Sequence, residues 1–211
     1  MSLALASAAP PRAAYVCKEA VDRIVAGALL LLLSPLLIVI AVLVTAGSPG
    51  PILHRRRVLG RNGAPFDAFK FRTMVADADA ILRAHPDLLR EFGANMKLRD
   101  DPRLTRIGVF LRRTSLDELP QLLNVVWGDM SLVGPRMIAP DETAKFGEAL
   151  AVRLAVKPGI TGLWQVSGRQ ELDYEERIRL DLHYIETWTL WLDLAILVRT
   201  IPAVLSMRGA Y

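Results

Sequence analysis

The chain has 211 residues, enough for one compact domain and too few for two of ordinary size. It carries 26 Lys and Arg against 22 Asp and Glu, for a net charge of +4, and its 23% of charged residues argues against both a disordered chain and a polytopic membrane bundle. The single cysteine, Cys17, excludes an intramolecular disulfide framework and a cysteine-based zinc cluster.

Residues 24–46 form an uncharged apolar segment of 23 residues. As a helix it would measure about 34 Å, against roughly 30 Å for the hydrocarbon core of a bilayer. Ser34 and Pro35 lie near its middle, where proline predicts a kink and the serine hydroxyl can bond a carbonyl of the preceding turn. A cleaved signal peptide is a weaker interpretation, because the segment exceeds the usual length of an h-region.

Basic residues flank both ends of this segment, and loops rich in Lys and Arg prefer the cytoplasm. A straight helix would place one of these flanks outside the cell. A helix broken at Ser34 and Pro35 would instead enter and leave by the same face. The residues alone leave the kinked spanning helix and the re-entrant hairpin equally open. The flanking residues are Arg12, Lys18 and Arg23 before the segment, and His54, Arg55, Arg56, Arg57 and Arg61 after it.

The middle of the chain alternates short extended pieces with helices. Residues 52–75 read as two extended pieces joined at Asn62-Gly63, a strong hairpin signal. Residues 75–93 have helical spacing, and Pro86 predicts a division into two short helices. Residues 94–106 are predicted to form a charged loop, and residues 107–111 to lead into a helix over 115–127.

The C-terminal part is predicted to be helical over 140–155 and 173–187, with Gly-rich loops at 128–136 and 157–169. Residues 188–207 are apolar but contain two charges and Pro202, which suits a helix lying in the membrane interface, with a core-packing helix as the alternative. The predicted fold class is therefore mainly α with a few short strands.

The sharpest chemical feature lies at residues 112–120, where Asp117 and Glu118 follow two arginines. One interpretation is structural, since Ser115-x-x-Glu118 is the pattern of a capping box and acids are favoured in a first helical turn. The other is catalytic. A carboxylate at a helix start near arginine stays ionised and can act as a nucleophile, and its neighbour can hold Mg²⁺.

Arginine dominates the basic residues, 21 of 26, and its planar donors suit phosphate groups. Each arginine can equally be a solvated surface charge or lie against anionic lipid. Neither a Walker A motif nor a dinucleotide-binding fingerprint is present. Many of these cations cluster, at Arg55–Arg57, Arg61, Lys70, Arg72, Arg99, Arg103, Arg106, Arg112, Arg113, Arg136 and, in the second Gly-rich loop, Arg169.

Together these motifs resemble the bacterial sugar transferases known as monotopic phosphoglycosyl transferases. The resemblance covers about residues 15–211 and is carried by the Ser-Pro in the apolar segment, KFRTM (70–74), LRRTSLDELPQLLNVVWGDMSLVGPR (111–136) and KPGITGLWQVSGR (157–169). One departure is Met137, where members of the family commonly have proline. The chain is similar to the minimal catalytic form of the family.

The resemblance implies transfer of a sugar phosphate from a UDP-sugar to undecaprenyl phosphate with release of UMP, as the first membrane step of surface glycan or exopolysaccharide synthesis. It implies a re-entrant membrane helix (residues 1–50) and a catalytic domain (residues 51–211) on the cytoplasmic face of a bacterial inner membrane. It also implies a Mg²⁺-dependent dyad of Asp117 and Glu118, with Asp117 as covalent nucleophile. Substrate-binding residues would be Lys70, Arg72, Arg112, Arg113, Arg136 and Arg169.

Two other classes of function are weighed against this one. A membrane-anchored, non-catalytic scaffold of polysaccharide assembly would use the basic face on anionic lipid, but the complete motif set favours catalysis. A nucleic-acid partner is suggested only by the pI of about 9.5, and no helix-turn-helix, zinc-finger or base-stacking motif supports it. The sequence leaves open the sugar and the oligomeric state, a homo-oligomer included.

Overall fold

A computed structural model describes residues 12–95, 98, 101–168 and 172–206. One long N-terminal helix, α1 (Arg12–Gly47), lies along a mainly helical domain that contains two small two-stranded sheets. The predicted fold class of helices with a few short strands is confirmed.

Helix α1 is 36 residues long and is helical on both sides of Pro35, so the re-entrant break at Ser34 and Pro35 stays a prediction. Pro35 has no N–H to donate to the carbonyl of Leu31, four residues earlier. The Ser34 hydroxyl donates to that same carbonyl at 2.8 Å, as the sequence predicted. The backbone acceptor freed by proline is therefore satisfied by the preceding side chain, which lets the helix continue.

A β-hairpin follows α1. Strands β1 (Leu53–Leu59) and β2 (Pro65–Phe71) pair antiparallel over their full length. The connection contains Asn62 and Gly63, both with positive φ, as the Asn-Gly signal predicted. The hairpin prediction is confirmed.

Helices α2 (Ala78–Ala84) and α3 (Pro86–Asn95) are separated by an extended His85, which confirms the predicted division at Pro86. The next helix, α4 (Arg106–Arg113), begins with Thr105 as its cap, its hydroxyl accepting from the Gly108 N–H at 2.9 Å.

The single helix predicted over residues 115–127 is wrong. Ser115 has φ 56° and starts a 3₁₀ turn (Leu116–Glu118), and helix α5 (Gln121–Trp127) begins only after Pro120. The left-handed conformation at Ser115 ends α4 and separates it from the 3₁₀ turn.

The two Gly-rich segments, residues 128–136 and 157–169, were predicted to be loops, but each contains a short strand. Strands β3 (Ser131–Val133) and β4 (Gly159–Thr161) pair in parallel. A Cβ atom on Gly159 would lie 2.1 Å from the amide nitrogen of Gly134, so glycine is required for the two backbones to approach. Gly134 and Gly159 therefore let strands β3 and β4 pack closely against each other.

The remaining helices surround this pair of strands. The helix predicted over 140–155 is divided at Gly147 into a 3₁₀ segment and α6, whereas the helix predicted over 173–187 is confirmed as α8. The elements are the 3₁₀ helix Pro140–Phe146, α6 (Ala149–Leu154), α7 (Leu163–Val166), α8 (Tyr174–Thr187) and α9 (Leu190–Leu205).

The core consists of two hydrophobic clusters, and α1 contributes to both. Ala26 of α1 is buried in the larger cluster, which also contains Met137. Ile40 and Val44 of α1 pack against Phe71 in the smaller cluster. One face of α1 thus contacts the domain along most of its length, and the other exposes large apolar side chains.

Candidate active site

The two adjacent carboxylates sit on the 3₁₀ turn between α4 and α5. Asp117 is 7% exposed, whereas the Glu118 side chain is more accessible. Ser115 makes no side-chain capping bond, and α5 has no capping side chain either. A capping serine needs extended backbone angles, and Ser115 is left-handed. The capping-box interpretation is therefore wrong, and Glu118 is not held by helix capping.

Lys70 at the end of β2 reaches the turn and forms an ion pair with Glu118, with Nζ 2.5 Å from Oε1. The position of β2 is fixed by Asn124 of α5, which donates to the Asp67 carbonyl at 2.8 Å and accepts from the Phe69 N–H at 3.1 Å. Asn124 is fully buried. The sequence interpretation missed this residue, because only the packing of α5 on β2 brings it to the strand.

The pKa of Asp117 is raised to about 6. Burial is the largest cause and Glu118 also raises the pKa, whereas Lys70 and Arg112 lower it. The sequence predicted an ionised Asp117 held by a helix start and nearby arginines, whereas desolvation, which opposes ionisation, is the largest effect on its pKa. Asp117 is nevertheless mainly ionised at pH 7. A carboxylate so close to its titration range is a candidate for chemistry.

The basic residues predicted beside the dyad divide into different surroundings. Arg112 is near enough to Asp117 to affect its pKa, and its Nε donates to the Thr73 hydroxyl at 3.0 Å. Arg113 is exposed. The terminal nitrogens of Arg72 donate to three backbone carbonyls where α1 ends, those of Val44, Ser48 and Pro49. Arg72 thus attaches the end of α1 to the strand that carries Lys70.

A second basic cluster surrounds Trp164. The guanidinium carbon atoms of Arg136 and Arg177 lie 5.8 and 5.1 Å from the centre of its ring. Arg153 donates to the backbone carbonyl of Arg136, and its Nη2 lies 2.9 Å from Oδ2 of the buried Asp181. Arg177, Arg153 and Asp181 were not predicted as site residues, since they lie on helices far along the chain with no local motif. The predicted residue Arg169 lies outside the described residues.

The two clusters lie toward opposite ends of the hairpin. Lys70 is opposite His54 in the strand register, near the open end of the hairpin. At the turn end, the Leu59 N–H donates to the carbonyl of Ile138, two residues after Arg136. The five residues from His54 to Leu59 correspond to about 17 Å along the strand. The carboxylate dyad and Arg136 therefore lie toward opposite ends of the hairpin.

Comparison with known proteins decides the family. A family model described as "Bacterial sugar transferase" matches residues 13–207. The chain belongs to the bacterial sugar transferase family.

Three relatives show how far the similarity extends. The transferase is 44% identical to the exopolysaccharide production protein ExoY of Rhizobium meliloti over 200 residues, which covers 93% of this chain and 88% of the relative. It is 43% identical over 211 residues to a UDP-glucose:undecaprenyl-phosphate glucose-1-phosphate transferase of Caulobacter vibrioides, covering 95% and 74%. An undecaprenyl-phosphate galactose phosphotransferase of Salmonella typhimurium is 44% identical over 204 residues, and the chain spans 43% of its length.

These relatives confirm the family resemblance and do not favour the non-catalytic scaffold. The long apolar helix α1 also fits a membrane anchor, being the one described helix long and apolar enough to cross a bilayer. The exposed large apolar side chains of α9 follow helical spacing, and Arg199 is exposed among them. These apolar residues are Leu190, Trp191, Leu194, Val198, Ile201 and Leu205.

The donor groups of the transferase fit Mg²⁺ only in combination with substrate. Among the described residues no three Asp, Glu, His or Cys side chains group together as a metal site. Mg²⁺ commonly takes one or two carboxylates and completes its shell with water and phosphate oxygens. Asp117 and Glu118 would provide the two carboxylates of such a site, and a diphosphate substrate would provide the rest.

Proposed function

We propose that this transferase moves a sugar 1-phosphate from a UDP-sugar to undecaprenyl phosphate, giving undecaprenyl-diphosphate-sugar and UMP, as the first membrane step of exopolysaccharide or other surface glycan synthesis. The observation that carries the proposal is the buried Asp117, with Glu118 and Lys70 beside it, next to the end of the apolar helix. The names of the relatives supply the substrate classes.

In the first step Asp117 is the nucleophile. One of its carboxylate oxygens forms a bond to the β-phosphorus of the UDP-sugar. The bond from that phosphorus to the bridging oxygen breaks, and UMP leaves with the oxygen and its electron pair. Lys70 and Arg112, the cations that lower the pKa of Asp117, are close enough to offset the charge of the reacting phosphoryl group. Mg²⁺ held by Asp117 and Glu118 would supply further charge neutralisation at the diphosphate.

In the second step a phosphate oxygen of undecaprenyl phosphate attacks the phosphorus of the aspartyl-phosphosugar. The new P–O–P linkage forms as the Asp117–phosphorus bond breaks, which regenerates the carboxylate. Two features support delivery of this acceptor from the bilayer. Arg72 joins the end of α1 to the strand carrying Lys70, and Leu116 of the dyad turn packs in the cluster containing Ile40 and Val44 of α1.

The membrane topology we propose is monotopic, with both ends of α1 on the cytoplasmic face. Near the start of α1, Lys18 Nζ lies 2.6 Å from Asp193 Oδ2. Near its end, the backbone carbonyl of Val44 accepts a hydrogen bond from Arg72. A helix that crossed the bilayer would carry these ends to opposite sides, beyond the reach of one small domain. The exposed apolar faces of α1 and α9 would then lie in the lipid, α9 at the interface.

The decisive experiment mixes the purified protein with Mg²⁺, undecaprenyl phosphate and each member of a panel of UDP-sugars, and measures UMP. We expect UMP release with one sugar, ping-pong kinetics, and without the lipid acceptor a burst of about one equivalent of UMP. Mass spectrometry should then find a phosphosugar on the peptide carrying Asp117. No UMP with any UDP-sugar would contradict the function, and ternary-complex kinetics without a burst would contradict the covalent route.

A further inference from the structure

One terminal nitrogen of Arg153, on α6, makes two polar contacts. Its Nη2 donates to the backbone carbonyl of Arg136 at 2.5 Å and lies 2.9 Å from Oδ2 of Asp181 on α8. Arg153 and Asp181 are 5% and 2% exposed. The guanidinium also lies over the ring of Phe146, with its central carbon 4.4 Å from the ring centre. Three elements thus fix the group that holds the Arg136 carbonyl.

The backbone on the other side of Arg136 is held by the β3–β4 pair. The Gly159 N–H donates to the carbonyl of Pro135 at 2.8 Å, and Arg136 itself bridges to Gly159. With its main chain held on both sides, Arg136 keeps a side chain that lies over Trp164. The ring of Trp164 is shared with Arg177, so two guanidinium groups face one aromatic surface.

The charged groups of this cluster have different partners. Arg153 and Arg136 lie near the buried carboxylate of Asp181, Arg153 also lies near Glu142, and Arg177 lies near Asp173. Burial raises the pKa of Asp181 to about 7 despite the adjacent Arg153, and its Oδ1 has no hydrogen-bond partner among the described residues. Burying such a pair is costly, and apolar residues of similar size often stabilise a protein as well or better. Its geometry therefore calls for a role beyond stability.

We propose that Arg153, held by Asp181, is a positioning residue that fixes the main chain at Arg136 and thereby directs the Arg136 side chain at the UMP moiety of the nucleotide sugar. This inference rests on the proposed function. It accounts for an arginine whose donor points at a backbone carbonyl, and for the two guanidinium groups that face Trp164, a donor type that suits an anionic ligand.

The test compares the single variant Arg153→Met with the double variant Arg153→Met/Asp181→Leu. The single change leaves a buried carboxylate unpaired and should lower both Tm and UMP affinity. The double change removes both charges and should recover Tm. If the pair positions Arg136, the Kd for UMP by calorimetry and the KM for UDP-sugar should stay about tenfold above wild type, the usual effect of losing a charge-assisted hydrogen bond. The kcat should change less than KM.

A merely structural pair predicts the opposite result, since the double variant would then recover UMP affinity together with Tm. Arg179→Met is the control. It removes an exposed arginine of α8, the helix that carries Asp181, and should leave the Kd for UMP unchanged. If the apolar double variant does not fold, Arg153→Gln/Asp181→Asn replaces it with a neutral polar pair whose amide is too short to reach the Arg136 carbonyl. The same expectation applies to it.

Coupling to Arg136 is the second measurement. In an Arg136→Ala background, the double replacement should raise the Kd for UMP no further, because the group it positions is gone. Independent, additive losses would overturn the inference, as would wild-type UMP affinity in a folded double variant. A wild-type protein that binds UMP but releases none from any UDP-sugar would contradict the proposed function and leave the positioning role standing.

Discussion

At the scale of single residues, the two carboxylates of the dyad have different surroundings and hence different chemistry. Asp117 is buried, and desolvation raises its pKa to about 6. Glu118 is more exposed and is paired with Lys70 at 2.5 Å. In many active sites, different surroundings give two neighbouring carboxyl groups different pKa values and therefore different catalytic roles. Here the buried one is the proposed nucleophile and the accessible one a metal ligand.

Replacing Asp117 with Asn should abolish UMP release and, in buffer containing EDTA, make the protein more stable at pH 8. The raised pKa means that the folded state holds the proton more tightly than the unfolded chain, whose Asp titrates near 3.8. Ionisation therefore destabilises the wild type as pH rises from about 4 through 6, by at most about 3 kcal/mol for two pKa units. Asn cannot ionise and avoids this cost.

Thermal unfolding at several pH values checks this expectation. The difference in Tm between Asp117→Asn and wild type should be small near pH 4, grow up to about pH 6, and stay constant above it. A difference that does not depend on pH would show that ionised Asp117 is not destabilising in the folded protein.

Replacing Glu118 with Gln should reduce turnover by about 100-fold, the usual scale for losing one electrostatic group at a reacting centre. Stability should change by less than about 1 kcal/mol, because Glu118 makes no capping bond and its ion pair with Lys70 is partly exposed. Initial rates over a Mg²⁺ titration, together with Tm, provide the measurement. Near-normal turnover at saturating Mg²⁺ would remove Glu118 from the metal site.

At the scale of elements, helix α1 has two faces with different partners. One face packs on the domain, from Lys18 near its start to Val44 near its end. The opposite face exposes large apolar side chains, with Leu31 and Leu32 among the most exposed. Such a helix is suited to lie with one face in lipid while both ends remain attached to the same domain.

Cysteine labelling in intact cells should therefore find both flanks of α1 protected from an impermeant outside reagent. Cys17 is exposed at the N-terminal end and is the natural reporter. Arg57→Cys in a Cys17→Ser background reports on the other end, since Arg57 is exposed on β1. Labelling of Cys17 from outside with protection at position 57 would establish a spanning helix.

The Ser34–Pro35 pair should control this topology. Replacing Ser34 with Ala and Pro35 with Leu restores an ordinary backbone hydrogen bond to the Leu31 carbonyl and removes the helix bend expected at proline. We expect part of the population to span the membrane, seen as partial labelling of Cys17. Labelling identical to wild type would show that packing on the domain, and not this pair, determines the topology.

At the scale of the whole molecule, a buried polar network joins the first and last helices. Lys18 of α1 contacts Asp193 of α9 at 2.6 Å and Asp22 at 3.3 Å. Asp193 also accepts from the hydroxyl of Tyr184 at 2.7 Å and from the indole of Trp188 at 3.0 Å. The network connects α1 with α8 and α9, so elements far apart in sequence are joined by charge and hydrogen bonds.

Lys18→Met should therefore destabilise the protein by about 3–5 kcal/mol, because it leaves two buried carboxylates without their cation. The midpoint of thermal unfolding in detergent measures the loss. Lys145→Met removes an exposed lysine and should change stability by less than about 0.5 kcal/mol. Equal effects of the two changes would show that the Lys18 network contributes no more than a surface charge.

The sequence by itself determined the features that depend on neighbouring residues. Asn62-Gly63 predicts the hairpin because few residues adopt positive φ, and Pro86 divides two helices because it restricts the residue before it. The bond from Ser34 to the Leu31 carbonyl was foreseeable for the same reason, since both residues lie within one turn. The family motifs identified the carboxylate dyad and the enzyme class.

Only the tertiary structure decided the rest, because those features join residues far apart in the chain. The β3–β4 pair has three residues in each strand, too few for a periodic pattern, and exists because Gly134 and Gly159 let two distant backbones meet. Burial outweighed the effect of nearby arginine at Asp117 only because β2 and α4 pack against its turn. The bond from Arg153 to the Arg136 carbonyl, which no local pattern encodes, likewise follows from the packing of α6 against α8.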